Sequence, residues 1–331
     1  MEDSTQRRFL HTRRALSKAT RARLKGERTP EHVALRKALS GCGSLGARVL
    51  ARLLLCERNK GASCLTLEWR RSAAAAAAAP TTAREREIVI SQSGDIAGGN
   101  VGAVVWDCAA LLYSLIEDGI LDVTGRSVME LGSGAGLVGI AAARAGARRV
   151  VLTDAHNLDE LRVNVAANVR LDEGTESDDG CLPRGATTTG GGGSGTDAAS
   201  ARVARLDWDE ALASVSSGSV AAADAAFPAP LLRAHFDGVA PEIVLASDVL
   251  YSRGGSAAFV ALLERLVAPQ NVRTRVVLAY KHRHAQTLDA AWTRLHASFE
   301  VTQLRGGVLD AVREHCHVAC YTIARRRGGL G

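Results

Sequence analysis

Residues Val128–Ile140 read VMELGSGAGLVGI. An apolar run from Val128 to Leu131 breaks into glycines and resumes at Leu137. The first run predicts a buried strand, the glycines a tight turn and the second run a helix. Bare backbone at such a turn leaves N–H groups of a helix N-terminus facing whatever lies above them. Two glycine patterns fit the same letters, Gly134-x-Gly136-x-x-Gly139 and Glu130-x-Gly132-x-Gly134-x-Gly136. They ask for different ligands, and glycines alone do not separate them.

Outward from this stretch the texture is regular. Strands are expected at Val150–Thr153, Ala201–Leu206, Ile243–Ser247 and Arg275–Ala279. Helices are expected at Leu137–Ala145, Leu158–Val169, Ala257–Val267 and Ala285–Ala297. Strands separated by helices predict a parallel sheet covered on both faces. The last two strands, near Glu300–Gln303 and Cys316–Ile323, show no long helix between them. They are expected to pair antiparallel, one inserted beside the other. The fold class is therefore α/β, a Rossmann-like doubly wound sheet of seven strands with the last antiparallel.

Upstream, a helix is expected at Trp106–Ile116 and a hairpin from Cys64–Trp69 and Ile88–Ile90. Thr29-Pro30-Glu31 opens one helix that runs to about Leu39, and Ser44 caps another through Leu55. These form an extension over residues 1–87, ahead of a domain over residues 88–331. The extension is expected to be dispensable for ligand affinity in that domain. Asp172–Ala199 and Ser214–His235 interrupt the alternation and read as surface insertions.

The 331 residues are 47% apolar, enough for a sizeable core. No run of about 18 apolar residues marks a membrane span. Residues 1–60 hold 15 Lys+Arg against 5 Asp+Glu, and the remainder 26 against 30. The basicity thus belongs to the first segment, which reads as a solvated arm. Nucleic acid enters as a partner only through that arm. Its arginines also suit a transit peptide, against which Glu2 and Asp3 argue; no apolar secretory signal is visible. Seven cysteines without a C-x-x-C suit reduced thiols in the cytoplasm or nucleus. His315-Cys316-His317-x-x-Cys320 hints at a metal, but a strand there would set the two thiols about 13 Å apart. No metal site is expected.

Residues beyond the glycines carry the ligand question. Asp154 ends the strand after the loop, where a carboxylate can accept hydrogen bonds from both hydroxyls of a ribose. That serves NAD and S-adenosylmethionine alike. Trp208, in Leu206-Asp207-Trp208, offers an indole face where an adenine would reach. Asp248-Val249-Leu250-Tyr251 follows the fourth strand, the position that faces a reacting group. Blander readings exist: Trp106 as a core aromatic, Asp248 as the cap of the next helix, Tyr251 as buried packing. Lys281, His282, Arg283 and His284 read as a solvated loop.

GAVVWDCA, GRSVMELGSGAGLVGI, VVLTDAHNL, RLDW and ASDVLY, in this order, resemble the seven-strand protein-lysine methyltransferase family over roughly Ile88–Ala324. The resemblance implies S-adenosylmethionine as cofactor, contacted by Trp106, Gly132, Gly134, Asp154, Trp208 and Ser247. It implies that Glu130 helps to hold the cofactor's amino-acid end. Asp248 and Tyr251 would form the family's Asp-x-x-Tyr pair at the target-lysine channel. The implied partner is a protein substrate such as a chaperone or elongation factor, with no membrane, and one chain is expected to act alone. The alternatives are a small molecule or another protein residue as acceptor, a non-catalytic binding module and a dehydrogenase. Methylation of adenine would call for prolines in the tetrad, and Asp248–Tyr251 has none. The basic arm and both insertions depart from the family and bear on the substrate.

Overall fold

The computed structural model describes residues 37–39, 41–60, 62–70, 87–93, 101–172, 200–213, 227–268, 273–282 and 285–326. The reading of a helix from Thr29 falls mostly outside them, as do residues 1–36 of the basic arm.

β3 (Ser127–Leu131) is buried along its whole length, as a central parallel strand must be. Leu137–Arg144 forms α3 behind it, followed by β4 (Arg149–Asp154) and α4 (Leu158–Asn168). The chain returns through β6 (Ser200–Arg205), α5 (Trp208–Ala213) and α6 (Ala229–Phe236). β7 (Ile243–Ser247), α7 (Arg253–Leu266), β8 (Arg275–Lys281) and α8 (Ala285–Ser298) continue the alternation. β9 (Phe299–Gln303), α9 (Gly307–Cys316) and β10 (Val318–Arg325) complete it. Among the described residues these strands form one sheet of order β5-β6-β4-β3-β7-β8-β10-β9, where β5 is only Arg170–Leu171. Seven main strands and a two-residue edge agree with the expected doubly wound sheet.

β10 runs antiparallel between β8 and β9, with Val318 opposite Lys281 and Tyr321 opposite Gln303. From β3 the chain first moves outward through β4 and β6, then crosses to the other side with β7 and β8. Connections therefore leave β3 and β7 in opposite directions and open a crevice at their carboxyl ends. Ligands of doubly wound sheets bind in such a crevice.

Three expectations need correction. The last two strands are separated by α9, which buries Val308, Ala311 and Val312 on one helical face. Cys316 thus ends a helix, and His317 turns the chain at φ 57°. Cys316 and Cys320 do not share a strand. Cys320 is buried within β10, and desolvation pushes its thiol up to about 12. No group of three or more His, Cys, Asp or Glu residues among those described could hold a metal ion.

The second insertion is shorter than the sequence suggests. Residues 173–199 and 214–226 lie outside the described residues, but Phe227, Leu232 and Phe236 are buried in the core. Exposed Arg233 and Ala234 hide this pattern in a composition rich in alanine and proline.

The described part of the N-terminal segment is not an appendage. Leu50, Leu53, Leu65 and Ile88 share one apolar cluster with Leu111, Val128 and Ile140. α1 (Gly43–Arg58) packs on α2 (Asp107–Glu117). β1 (Cys64–Glu68) and β2 (Glu87–Ser91) pair antiparallel as the expected hairpin. Asn164 and Asn168, one turn apart on α4, meet the open edge of β2. The Ser91 and Val89 N–H groups donate to their carbonyls at 2.7 and 2.8 Å, and their amides donate back to Ser91 O and Val89 O. Two side chains thus extend the strand ladder and close an edge that would otherwise stand unpaired.

Candidate active site

The loop after β3 carries Gly132, Gly134 and Gly136 at φ 66°, 52° and 86°. Side chains other than glycine rarely adopt this region. At Gly134 space is also lacking, since a Cβ would stand 2.6 Å from the Gly102 carbonyl oxygen. Gly139 differs: it lies inside α3, where a Cβ would meet Leu152 at 2.5 Å, so it permits close helix–strand packing.

Above this loop, at the carboxyl ends of β3, β4, β6 and β7, lies a cavity of about 770 Å³. That is ample for a nucleoside-sized ligand. Trp106, Gly132, Gly134, Asp154, Trp208, Ser247, Asp248 and Tyr251 all line it. The structure thus brings together eight of the nine residues singled out in the sequence.

Asp154 ends β4. Its Oδ2 accepts from Gly134 N–H at 2.8 Å and its Oδ1 from His156 N–H at 3.0 Å. A carboxylate has about four acceptor directions, so two remain beyond these bonds. Asp207 ends the next connection, and its Oδ1 takes the N–H groups of Asp209 and Glu210 at 3.0 and 3.2 Å. This cap starts α5 at Trp208 and sets the indole at the cavity, backed by the Phe259 ring 5.6 Å away.

The ninth residue, Glu130, is elsewhere. It is 1% exposed beneath the loop and is absent from the cavity wall. Its Oε2 accepts from Gly139 N–H at 2.8 Å. Glu130 therefore braces β3 against α3 and does not line the cavity with the other eight. Burial pushes this carboxyl up to about 8, only partly offset by the Gly139 bond. An unfolded glutamate titrates near 4.3. Between those values the folded chain holds a proton that the unfolded chain has lost, so the stabilisation present below about 4.3 fades as pH rises through about 8. Glu130→Gln is expected to melt with the parent at pH 5 and above it at pH 8.5. Parallel melting curves at both pH values would remove the buried proton.

Asp248 follows β7 at φ 57°, and its N–H donates to Ala279 O at 2.9 Å. Val249 and Leu250 are 5% and 2% exposed and anchor the tetrad. The helix after it is capped by Ser252, whose Oγ accepts from Gly255 N–H at 3.2 Å. The cap alternative for Asp248 therefore falls. Tyr251 is 65% exposed, so it is not buried packing either.

Lys281 is not in a loop: it ends β8 and forms an ion pair with buried Asp107 at the start of α2. His282 shares a hydrogen bond of 2.9 Å with the Tyr321 hydroxyl. Arg283 and His284 lie outside the described residues. Cavity residues given no role from the sequence include Val101, Asn157 and Asp207. Asp207 carried a signal, a carboxylate two residues before Asp209 at a helix start; the others carried none.

Residues 83–178 match the model of a family described as lysine methyltransferase. Human protein-lysine N-methyltransferase EEF2KMT is 28% identical over 241 residues, 70% of this chain and 62% of that protein. Protein N-lysine methyltransferase METTL21A of Danio rerio is 41% identical over 88 residues, 27% of this chain and 39% of that protein. EEF1A lysine methyltransferase 3 of Xenopus tropicalis is 45% identical over 75 residues, 22% and 33% of the two chains. The chain spans about half the length of the first curated relatives it matches. The matched stretch holds β3, the glycine loop and Asp154, the parts that build the cavity floor. The likeness to protein-lysine methyltransferases is thus concentrated in the glycine-loop region of the chain.

Proposed function

We propose that the chain transfers a methyl group from S-adenosylmethionine to a lysine side chain of a protein. One observation carries the reading: a single cavity joins the glycine loop and Asp154 to Asp248 and Tyr251. The residues present fit an adenosyl ligand. Gly132 and Gly134 leave bare backbone where side chains would crowd Val249 and Gly102. Asp154 has acceptor directions left for ribose hydroxyls, and the Trp208 indole offers a stacking face. Ser247, half-buried at the end of β7, adds a hydroxyl beside them.

When bound, S-adenosylmethionine supplies an electrophilic methyl group. The lysine amine must be neutral to accept it, and at a reference pKa of ~10.4 only about one in a thousand is neutral near pH 7.4. Asp248 accepts hydrogen bonds from the arriving ammonium and aims its nitrogen as a proton leaves. Tyr251 borders the mouth with its ring and hydroxyl. Positioning of this kind can supply ~7–11 kcal/mol of a barrier.

The partner in this reading is a protein of the class that the relatives' names specify, such as an elongation factor, or a chaperone. The compartment is the cytoplasm or nucleus, in keeping with scattered cysteines and no C-x-x-C. No described helix is long and apolar enough to cross a membrane.

The test is labelled-methyl transfer into a lysate with mass spectrometry of the modified residue. Label on lysine is expected, and label confined to small molecules or to another residue type would overturn the reading. Asp154→Ala is expected to weaken S-adenosylhomocysteine binding at least about tenfold, since bonds to charged groups contribute roughly 1.5–3 kcal/mol each. A loss below about threefold by calorimetry, equivalent to under ~0.7 kcal/mol, would remove the ribose assignment.

A further inference from the structure

The cavity wall at Val101–Trp106 belongs to no strand of the sheet. It is held from outside, by the N-terminal unit. Gln92 follows β2 and is 5% exposed. Its Nε2 donates to Asn59 O at 3.0 Å and Ala62 O at 3.2 Å, and its Oε1 accepts from Val105 N–H at 2.8 Å. The chain around it adds bonds from Gln92 N–H to Ser63 O at 3.0 Å and from Ser93 N–H to Ala103 O at 3.3 Å. One buried amide therefore clamps the turn after α1 to the residue before Trp106. The same turn carries Lys60, whose ammonium sits 4.9 Å from the centroid of the Trp106 rings. The indole Nε1 in turn donates to Val101 O at 2.9 Å.

We infer that Gln92 is a positioning residue for the ligand cavity, and that the Asn59–Ala62 turn with Lys60 sets the pose of the Trp106 indole. The N-terminal unit thereby governs cofactor affinity from outside the sheet. This rests on the reading of the cavity as the cofactor site. The side-chain partners of Gln92 all lie in connecting segments, none in the sheet. Removing the clamp thus loosens the wall without dismantling the strands below it. A wall that is correctly placed only part of the time lowers apparent affinity by that fraction. The chemical step at Asp248, on the far side of the glycine loop, is untouched once ligand is held. On this inference the segment before Ile88 is not dispensable for cofactor affinity, contrary to the expectation from its sequence.

The experiment uses the full chain with Gln92→Met, which keeps length and loses every side-chain hydrogen bond. Leaving the partner groups unsatisfied is expected to raise the dissociation constant for S-adenosylhomocysteine about tenfold or more. The KM for S-adenosylmethionine should rise in step, with kcat at saturating cofactor within about twofold of the parent. Amide exchange at Val105 and Trp106 should quicken. If Gln92→Met does not fold, Lys60→Met carries the test, with an affinity loss of about two- to fivefold. Lys60→Arg, which keeps a cation over the indole, should retain the parent's affinity. A folded Gln92→Met protein that melts lower yet binds with the parent's affinity overturns the inference, as does a Lys60→Met protein with unchanged affinity where that variant is used. If the parent itself binds no S-adenosylhomocysteine, the cofactor reading falls. The clamp is then judged by amide exchange alone: acceleration at Val105 sustains it and unchanged exchange overturns it.

Discussion

Asp248→Asn is expected to keep the fold and the affinity for S-adenosylhomocysteine while slowing methyl transfer by about 10²-fold or more, as mispositioning a reactant does. The choice of asparagine follows from the backbone. Asp248 sits at φ 57°, a region that asparagine and glycine tolerate. Alanine there would add strain of roughly 1–2 kcal/mol and blur loss of the carboxylate with distortion of the loop. Asp248→Gly is the matching control: it suits the same backbone, lacks the carboxylate and should be as slow as the asparagine variant. Since Ser252 caps α7, neither variant should cost a helix cap. The decisive measurements are turnover with saturating cofactor, ligand calorimetry and thermal melts on the same preparations. Either variant turning over near the parent's rate would reduce Asp248 to a residue of the loop backbone.

The second large effect concerns stability. Glu117→Leu is expected to cost roughly 3–5 kcal/mol, the usual penalty for stranding one partner of a buried ion pair. The Glu117 side chain is 1% exposed and pairs with Arg52, itself 7% exposed. It also accepts from Arg70 N–H at 2.7 Å. Arg52 reaches Ser114 Oγ at 3.0 Å and Glu68 O at 3.3 Å, and lies 4.3 Å over the Tyr113 ring. The pair thus joins α1, the end of β1 and α2. At about 2–4 °C per kcal/mol for a domain of this size, the melting temperature should fall by roughly 10 °C. Replacing both partners, Arg52→Met with Glu117→Leu, should recover much of that loss, because no charge is then left stranded. A single mutant within about 2 °C of the parent would show that water or another group satisfies Arg52 despite its burial. One cooperative transition is expected, since the N-terminal unit and the sheet share an apolar cluster.

The sheet was legible because its signals are local. A short apolar run bounded by glycine or a carboxylate reads as a parallel strand wherever it occurs. Ile243–Ser247 matches the observed strand residue for residue, β3 is longer than expected by one residue at its start and β4 by one residue at each end. Order along the chain, with handed crossovers, then limits how such strands can stack. Residues at or just past the carboxyl ends of those strands must lie at one edge, so Asp154, Trp208, Ser247 and Asp248 meet in a cavity. α9 escaped notice because it is short, ten residues, and the glycines at its start, Gly306 and Gly307, look like a turn.

By itself the sequence determined the doubly wound class, the strands and the edge of the sheet where chemistry can occur. Periodicity and turn residues act within a few positions, and those suffice for it. Only the tertiary structure decided what each buried polar group answers to. Glu130 looks like a ligand contact from its place beside the glycines, yet a helix N–H nine residues on claims it. Ser252 rather than Asp248 caps α7 because burial of Val249 and Leu250 carries the chain past the first candidate. Arg52 and Glu117 stand 65 residues apart, and Gln92 reaches the Asn59–Ala62 turn across 30 or more. A buried polar side chain takes whichever partner the packing leaves within 3 Å or so, because burial without one is costly. That choice is made in space, after the chain has folded, and no spacing along it carries the answer.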